Sequence, residues 1–415
     1  MLELTMLHLT KKHLIGRFAA LASLFLALCC VVSACSDDNT PLPEKYVTLR
    51  LKINPGVAQS LSRASAPDRY DPSEGDYENV NTLRIIITRP GDSGTRIVLA
   101  NRLVSTSSNG YPTEKLEFKV LGNYEYRVLL IANEDYLTPP RNSGFTTVRS
   151  FLDSFEEKRT FNQTLLLGWT VAAPAVAPNI TGNIFADGMP MAEWFDIAPL
   201  VTREVSNDEP SVREENTVDV HLFLTRVACK VTYNVNVSEE YKAKGVSVTG
   251  IRLENIDQSQ YVFPHDAVYE PAKVATNIPV MDDNTGSFVV TNRYISSFTV
   301  PSNNTLLNYP VNLPADKYVP VQKGSKATIG PYYFPETKFT DSQTNFKVSV
   351  RLSDSSEWLP AQSLTNNILM MKDNIQGIAR NTHLIVNINF DGTGITWNAV
   401  VAPYNEVSLL PEFGL

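Results

Sequence analysis

The sequence has 415 residues, of which 43% are hydrophobic and 19% charged, and its formal net charge at pH 7 is −8. This hydrophobic fraction is typical of packed proteins and argues against a globally disordered chain. The acidic balance argues against nucleic-acid binding, because a phosphate backbone attracts basic surfaces.

The N-terminus has the pattern of an export signal. Basic residues up to Arg17 precede an apolar run from Phe18 to Val32, which is too short to span a bilayer. The sequence Val32-Ser33-Ala34-Cys35 resembles the bacterial lipobox, which implies a diacyl (palmitate-type) anchor on Cys35. We therefore predict a lipoprotein signal peptide at residues 1–34 and a polar tether at 35–46. The alternative is an ordinary secretory signal that happens to contain cysteines.

One cysteine remains for the folded protein. Cys29 and Cys30 leave with the signal and Cys35 is acylated, so Cys229 has no partner for an intrachain disulfide. It lies between Val227 and Val231 in an apolar strand pattern. This pattern favours a buried structural thiol over a nucleophile.

The first predicted strand follows the tether. Its apolar residues alternate with polar ones in the period of a half-buried strand, and they are Val47, Leu49, Leu51 and Ile53. A connection of about 27 residues then runs from Pro55 to Asn81 and contains Arg63 and Arg69. Connections of this length are usually functional or disordered.

Further strand patterns fill the first half of the chain. They lie at Leu83–Thr88, Arg96–Leu103, Leu116–Leu121 and Tyr124–Asn133, with spacings that suit a sandwich. Residues 150–169 mix a short helical piece with a strand, and Gly188 to Phe195 is predicted to be an apolar loop. The polar segment 205–217 predicts a domain boundary, which gives domains at 47–210 and 211–415.

In the second half, the phase of the alternation changes around Thr225 and Arg226. Apolar residues occupy even positions up to Leu224 and odd positions from Cys229 onward, which predicts a β-bulge or a strand that crosses between sheets. Further strands are predicted at Val246–Asn255, Ser287–Asn292, Phe346–Leu352, Leu384–Phe390 and Ile395–Val401, with a hairpin turn at 391–394 and a possible helical turn at 374–380.

The sequence carries no pattern of catalytic or metal-binding residues. The histidines beyond the signal are His221, His265 and His383, and they have no ligand spacing and no nucleophile motif beside them. We therefore predict no catalytic residues, no metal site and no cofactor, and we expect that the protein is not an enzyme.

Three short motifs, in this order along the chain, resemble the fimbrillin family, the type V pilus subunits of Bacteroidales. They are Leu130-Ile131-Ala132-Asn133-Glu134, the segment from Leu224 to Val231, and Arg380-Asn381-Thr382-His383. The resemblance implies a mainly all-β fold of two tandem transthyretin-like β-sandwich domains with short helical insertions. It also implies a cell-surface, outer-membrane lipoprotein and fimbrium.

The family resemblance implies donor-strand assembly. In that mechanism an arginine-specific protease cuts a loop, the first strand leaves, and a strand from another pilin subunit takes its place. The strand at 47–53 has the layout of a detachable strand, with Arg63 and Arg69 as equal candidate cleavage sites. The candidate donor lies in the C-terminal tail, with apolar side chains at Val400, Val401, Val407, Leu409 and Leu410. The alternative reading is a permanent first strand and a tail that completes its own domain.

Three functions remain open on the sequence. The first is a stalk or tip subunit of a fimbria. The second is an uncleaved, lipid-anchored subunit that roots the fimbria in the outer membrane. The third is an adhesin for a host or bacterial surface glycan, with exposed aromatic rings drawn from Trp169, Trp194, Trp358 and Trp397. Of these rings, Trp397 is expected in the core, and Trp194 either in the core or at a contact surface.

Overall fold

The structure is a computed structural model of the chain. It describes residues 46–53, 80–106, 114–172, 189–199, 217–222, 224–241, 245–271, 293–302, 304–338, 347–359, 362–363, 377–380, 382–392 and 394–403.

The described residues of the first half contain nine strands, two short α-helices and two 3₁₀ turns. The strands are β1 (Tyr46–Ile53), β2 (Thr82–Pro90), β3 (Thr95–Ser105), β4 (Glu117–Leu121), β5 (Tyr126–Ala132), β6 (Thr160–Asn162), β7 (Thr170–Ala172), β8 (Met191–Ile197) and β9 (Thr217–Leu222). The helices are α1 (Val148–Asp153) and α2 (Thr164–Leu167).

The second half contains only strands and a single 3₁₀ turn in its described part. The strands are β10 (Cys229–Glu239), β11 (Ser247–Asp257), β12 (Ser259–Tyr261), β13 (Val268–Pro271), β14 (Arg293–Ser297), β15 (Leu306–Asn312), β16 (Val319–Pro320), β17 (Lys326–Phe334), β18 (Thr337–Lys338), β19 (Lys347–Leu352), β20 (Gln362–Ser363), β21 (Gly377–Ile378), β22 (Thr382–Asp391) and β23 (Ile395–Pro403). The predicted mainly β fold is confirmed.

Two sheets enclose the core of the first half. One has the strand order β6, β3, β2, β5, β8, and the other has the order β4, β1, β9. Strand β2 is apolar at consecutive positions because both of its faces are covered. Ile85 and Ile87 lie in the core between the sheets, whereas Ile86 lies in a second core on the opposite face. Continuous apolar runs are typical of strands buried on both faces.

The second core of the first half packs helix α1 against the larger sheet. Thr147 caps α1, since its side-chain oxygen accepts a hydrogen bond from the backbone N–H of Ser150 at 3.1 Å. Phe151 of α1 packs edge-on against Trp169, with the ring centroids 5.4 Å apart. Both side chains are fully buried, so this layer fixes the start of β7.

The second half repeats this arrangement of strands. One sheet has the order β17, β10, β22, β23, and the other has the order β15, β11, β19, β20, with β16 also paired to β11. Strand β10 is parallel to β22, as β1 is parallel to β9. The predicted hairpin is confirmed by the antiparallel pairing of β22 with β23. The predicted transthyretin-like character of the two domains stays a prediction.

The predicted change of phase near Thr225 marks a crossing between sheets. Leu222 and Leu224 lie in the core of the first half, whereas Cys229 and Val231 lie in the core of the second half. The predicted domain boundary between residues 210 and 211 stays a prediction. The described residues place the passage from one core to the other between Leu224 and Cys229.

The two halves also share a strand pair. Strands β7 and β12 pair antiparallel, and the backbone N–H of Val262 donates to the carbonyl of Trp169 at 2.8 Å. The side-chain amide of Gln260 donates to the carbonyl of Val227 at 2.8 Å, and Phe263 packs against Trp169. The chain crossover is thus reinforced by backbone pairing and a common aromatic core.

Two local predictions are wrong. Residues 191–195 of the predicted apolar loop belong to β8, which runs on to Ile197 and pairs with β5. Their apolar run does not alternate, because both faces of the strand contact other groups. The possible helical turn at 374–380 instead contains β21, which pairs with β18. A Cβ on Gly377 would lie 2.2 Å from the carbonyl oxygen of Thr337, so this pairing requires glycine.

Candidate functional site in the first strand and its groove

Strand β1 is the central strand of its sheet, between β4 and β9. Its register with β9 runs from Thr48 opposite Thr217 to Ile53 opposite Leu222. On the other side, the backbone N–H of Leu51 donates to the carbonyl of Leu116 at 2.9 Å. The most N-terminal described strand therefore has hydrogen-bonded neighbours on both edges.

The inward face of β1 is part of the core. Val47, Leu49 and Leu51 are 1%, 0% and 1% exposed, and they pack in one cluster with residues of β2 and β4 such as Ile85 and Phe118. Burial of each aliphatic side chain stabilises the fold by about 1.5–3 kcal/mol. The structure therefore places three of the four predicted residues together in the core, and the fourth, Ile53, lies in the same strand.

The outward face of β1 carries a charge bridge across all three strands. Arg50 Nε lies 3.0 Å from Glu117 Oε1 on β4, and its Nη1 lies 3.5 Å from Asp219 Oδ1 on β9. These side chains are about one-third exposed. Exposed pairs contribute about 0–1 kcal/mol each, so the buried face holds the strand more strongly than Arg50 does.

The predicted lipidation and processing sites, Cys35, Arg63 and Arg69, lie outside the described residues. The same holds for three of the predicted donor residues, Val407, Leu409 and Leu410.

The other two donor residues lie in β23. Val400 and Val401 are opposite Ile385 and Leu384 of β22. Strand β23 is the edge strand of its sheet in the part of the chain that the structure describes. The start of the candidate donor is therefore paired within its own half, on one side only.

Cys229, His265 and His383 each form a hydrogen bond within the folded chain. Cys229 is fully buried and its thiol donates to the carbonyl of Ala379 at 2.9 Å; burial raises the pKa of this thiol well above its ordinary value. The prediction of a buried thiol is confirmed. His383 Nε2 lies 2.9 Å from Thr232 Oγ1, and His265 Nε2 donates to the carbonyl of Leu167 at 2.6 Å.

The described residues show neither a cluster of metal ligands nor a membrane-spanning helix. They contain no group of three or more histidine, cysteine, aspartate or glutamate side chains that would hold a metal ion. None of their helices has the length and apolarity needed to cross a membrane.

Two of the four tryptophans are core residues. Trp169 is fully buried, and its Nε1–H donates to the carbonyl of Thr138 at 2.8 Å. Trp397 is 8% exposed and lies in the core of the second half, as predicted. Neither ring is available to a ligand.

The other two tryptophans lie beneath arginines. The guanidinium of Arg127 is 3.9 Å from the ring centre of Trp194, which packs against the second core of the first half. Trp358 has Arg252 at 4.7 Å and Arg351 at 5.2 Å from its ring centre. One face of each ring is therefore covered by a cation–π contact with arginine. The structure does not gather the four tryptophans into one aromatic surface.

Two residues of the sequence motifs, Glu134 and Arg380, form buried ion pairs. Arg84 binds the carboxylate of Glu134 with both Nε (2.6 Å) and Nη2 (2.8 Å). Arg380 binds Glu336 through Nε (3.0 Å) and Nη2 (2.6 Å), and its Nη1 donates to the carbonyl of Val262 at 2.6 Å. Sequence reasoning did not assign these pairs, although Glu134 and Arg380 were part of its motifs.

Comparison with known proteins gives structural neighbours only. No protein-family model matches the sequence, and no curated protein matches it either. The chain is similar to the solved structure of the tip fimbrial protein Mfa3 from Porphyromonas gingivalis with a C-terminal truncation. The identity is 13%, the TM-score is 0.43, and the match covers 86% of this chain and 100% of that one.

A second neighbour is a fimbrial assembly protein from Parabacteroides distasonis. The identity is 12%, the TM-score is 0.36, and the match covers 86% of this chain and 95% of that one. Both neighbours are described as fimbrial proteins. At these identities and TM-scores, the similarity carries no inference about the role of any residue.

Proposed function

We propose that this protein is a structural subunit, stalk or tip, of a cell-surface fimbria. It assembles by strand exchange after lipoprotein export and proteolytic removal of its first strand. The observation that supports this most directly is the position of β1, which comes first along the described chain and yet lies in the centre of a sheet. A cut after Arg63 or Arg69 severs β1 from the chain and leaves every other described strand uncut.

Loss of β1 would leave a groove that favours refilling. The groove has the buried residues of β2 at its base and the backbone edges of β4 and β9 at its sides. Unpaired strand edges and exposed apolar side chains pair readily with an added strand. A replacement must present apolar side chains at every second position, as Val47, Leu49 and Leu51 do.

The donor is the C-terminal tail of another subunit, either the same protein or a paralogue. Strand β23 has one described neighbour, β22, whereas β1 has two. Release of β23 therefore breaks one ladder rather than two. Val400, Val401, Val407, Leu409 and Leu410 supply the apolar side chains.

Export and processing require two further partners. The partners are an arginine-specific protease and the outer membrane, to which an acyl chain on Cys35 attaches the precursor. The location is the cell surface, first as an outer-membrane lipoprotein and then as part of the fimbrium.

A retained first strand is the second candidate, and the buried inward face of β1 favours it. Val47, Leu49 and Leu51 are fully buried, and β1 is paired on both edges. A protein that keeps β1 and its lipid would root a fimbria in the outer membrane or act as an adhesin for a host or bacterial surface ligand.

The test is limited digestion of the purified protein with an arginine-specific protease, followed by mass spectrometry and size-exclusion chromatography. R63A, R69A and the double variant locate the cut. R141A is the matched control, because Arg141 is an exposed loop arginine outside the proposed segment. A synthetic peptide of residues 395–415 is added to compete for the vacated groove.

We expect one cut after Arg63 or Arg69, loss of the first strand, and a ladder of oligomers that the peptide shortens. The double variant stays intact and R141A behaves as wild type. A cut chain that keeps β1 and stays monomeric contradicts strand exchange and supports the second candidate.

A further inference from the structure

The outer face of the sheet with β10 and β22 carries a regular set of asparagines. Both strands alternate apolar residues with asparagine, as Tyr233-Asn234-Val235-Asn236 and as Val386-Asn387-Ile388-Asn389. The register of the parallel pair places Asn234 opposite Asn387 and Asn236 opposite Asn389. The apolar residues of both runs lie in the core, so the four asparagines point away from it. We call these four residues the amide face.

The amides hold one another in place. Asn234 Nδ2 donates to Asn387 Oδ1 at 3.1 Å, and Asn236 Nδ2 donates to Asn389 Oδ1 at 3.2 Å. On the neighbouring strand, the exposed hydroxyl of Thr328 donates to Asn234 Oδ1 at 3.0 Å. Cross-strand hydrogen bonds of this kind fix the side-chain conformations before a ligand arrives, which lowers the entropy cost of binding.

The fold does not require this chemistry. The equivalent sheet of the first half carries Glu117, Arg50 and Asp219 across its outer face, and these form ion pairs. In both sheets the central strand pairs in parallel with a strand from later in its half, yet ion pairs cross the outer face of the first sheet and amide pairs cross that of the second. Lys326 of β17 lies opposite Asn236 at the border of the amide face.

The geometry points to a neutral glycan as the ligand of the amide face, and we propose this binding site. An amide offers two N–H donors and two acceptor lone pairs. The hydrogen bond between Asn236 and Asn389 uses one N–H donor and one acceptor lone pair of these two amides. Their other donors and acceptors can bind a ligand at the surface. Adjacent donors and acceptors on one face of a sheet can pair with neighbouring sugar hydroxyls. Protein interfaces draw instead on aromatic, methionine and arginine side chains, which the four amides do not provide.

The test measures binding of the purified protein to a glycan array and, by surface plasmon resonance, to dextran and mannan, with heparin as an anionic comparison. N236A/N389A removes one amide pair. T328A removes the hydroxyl and methyl groups of an exposed side chain, so it leaves the core unchanged. N142A is the matched control, since Asn142 is an exposed loop asparagine elsewhere.

We expect binding to at least one neutral glycan and none to heparin. The double variant should lose affinity about tenfold, which corresponds to ~1.4 kcal/mol of lost hydrogen bonding. T328A should lose a smaller factor, and N142A should bind as wild type. Circular dichroism confirms that each variant is folded.

Absence of binding to every neutral glycan overturns the proposal, and so does equal binding by the folded variants. A concentration-dependent dimer that N236A/N389A abolishes would instead assign the face to a second copy. The amide face contains no residue of β1, so these results are independent of the digestion assay. A failure of strand exchange leaves the glycan site standing, and the reverse also holds.

Discussion

Shortening of Leu49 to alanine tests the claim that the inward face of β1 holds this strand in its groove. Leu49 is fully buried between the two sheets of the first half. Leucine-to-alanine changes in protein cores cost about 2–5 kcal/mol, depending on how far the site collapses. The matched control is T48A, because Thr48 lies on the half-exposed outer face of the same strand.

The assay follows the strand itself. A specific protease site introduced between residues 54 and 79 allows the connection to be cut, and a labelled peptide of residues 46–53 then competes for the groove. Fluorescence anisotropy gives its dissociation constant. A loss of about 2–5 kcal/mol raises this constant by roughly 30-fold to several thousand-fold. The T48A peptide should bind within about threefold of wild type.

Equal affinities for the L49A and T48A peptides would refute the reasoning. Such a result would mean that the backbone ladders with β4 and β9, rather than the buried side chains, hold β1. The apolar side chains of a donor strand would then not determine which strand binds in the groove.

Three further predictions concern buried polar groups. R380A leaves the carboxylate of Glu336 buried without its cation, so we expect a loss of about 3–5 kcal/mol in denaturant unfolding; a loss below 1 kcal/mol would contradict this. Burial, with a smaller contribution from Glu336, raises the pKa of Asp257 from 3.8 to about 6 against the hydrogen bond from the backbone of Lys338. The folded state therefore binds this proton more tightly than the unfolded chain, and stability relative to D257N should fall as pH rises from about 4 to 6; a constant difference over this range would refute it. Cys229 should resist a thiol reagent in the native protein and react after unfolding, as peptide mass spectrometry would show; rapid native labelling would disprove its burial.

The alternation of the sequence predicted which residues face the cores. The inward residues of β1, the change of phase at Thr225 and the burial of Trp397 all follow from side chains that point to opposite faces at successive positions. This periodicity depends on local backbone geometry alone, so a single sequence contains it.

Partners between distant segments could not be predicted in the same way. The sequence assigned no strand to residues 306–312 or 326–334, which form β15 and β17, because Pro310 and Pro331 interrupt their patterns. Both strands lie at the edges of their sheets in the described structure, where proline is tolerated. Alternation also gives no partner for an arginine, so the burial of Arg84 with Glu134 was not foreseeable.

The candidate site was predicted in part. The apolar face of β1 was evident, but its position in the centre of the sheet was not, because strand order depends on pairing with β9, far along the chain. The amide face was missed altogether. Asparagine occurs at every second position in two strands that are distant in sequence. This pattern predicts a shared face only when the register of the two strands is known.

The pairing of β7 with β12 also limits movement between the two halves of the chain. Two halves joined by a single crossover would swivel about it, since linked domains move unless their interface is extensive. Here a strand pair and the packing of Phe263 on Trp169 resist that rotation. If copies associate end to end as proposed, bending would occur between neighbouring copies rather than between the two halves of one copy.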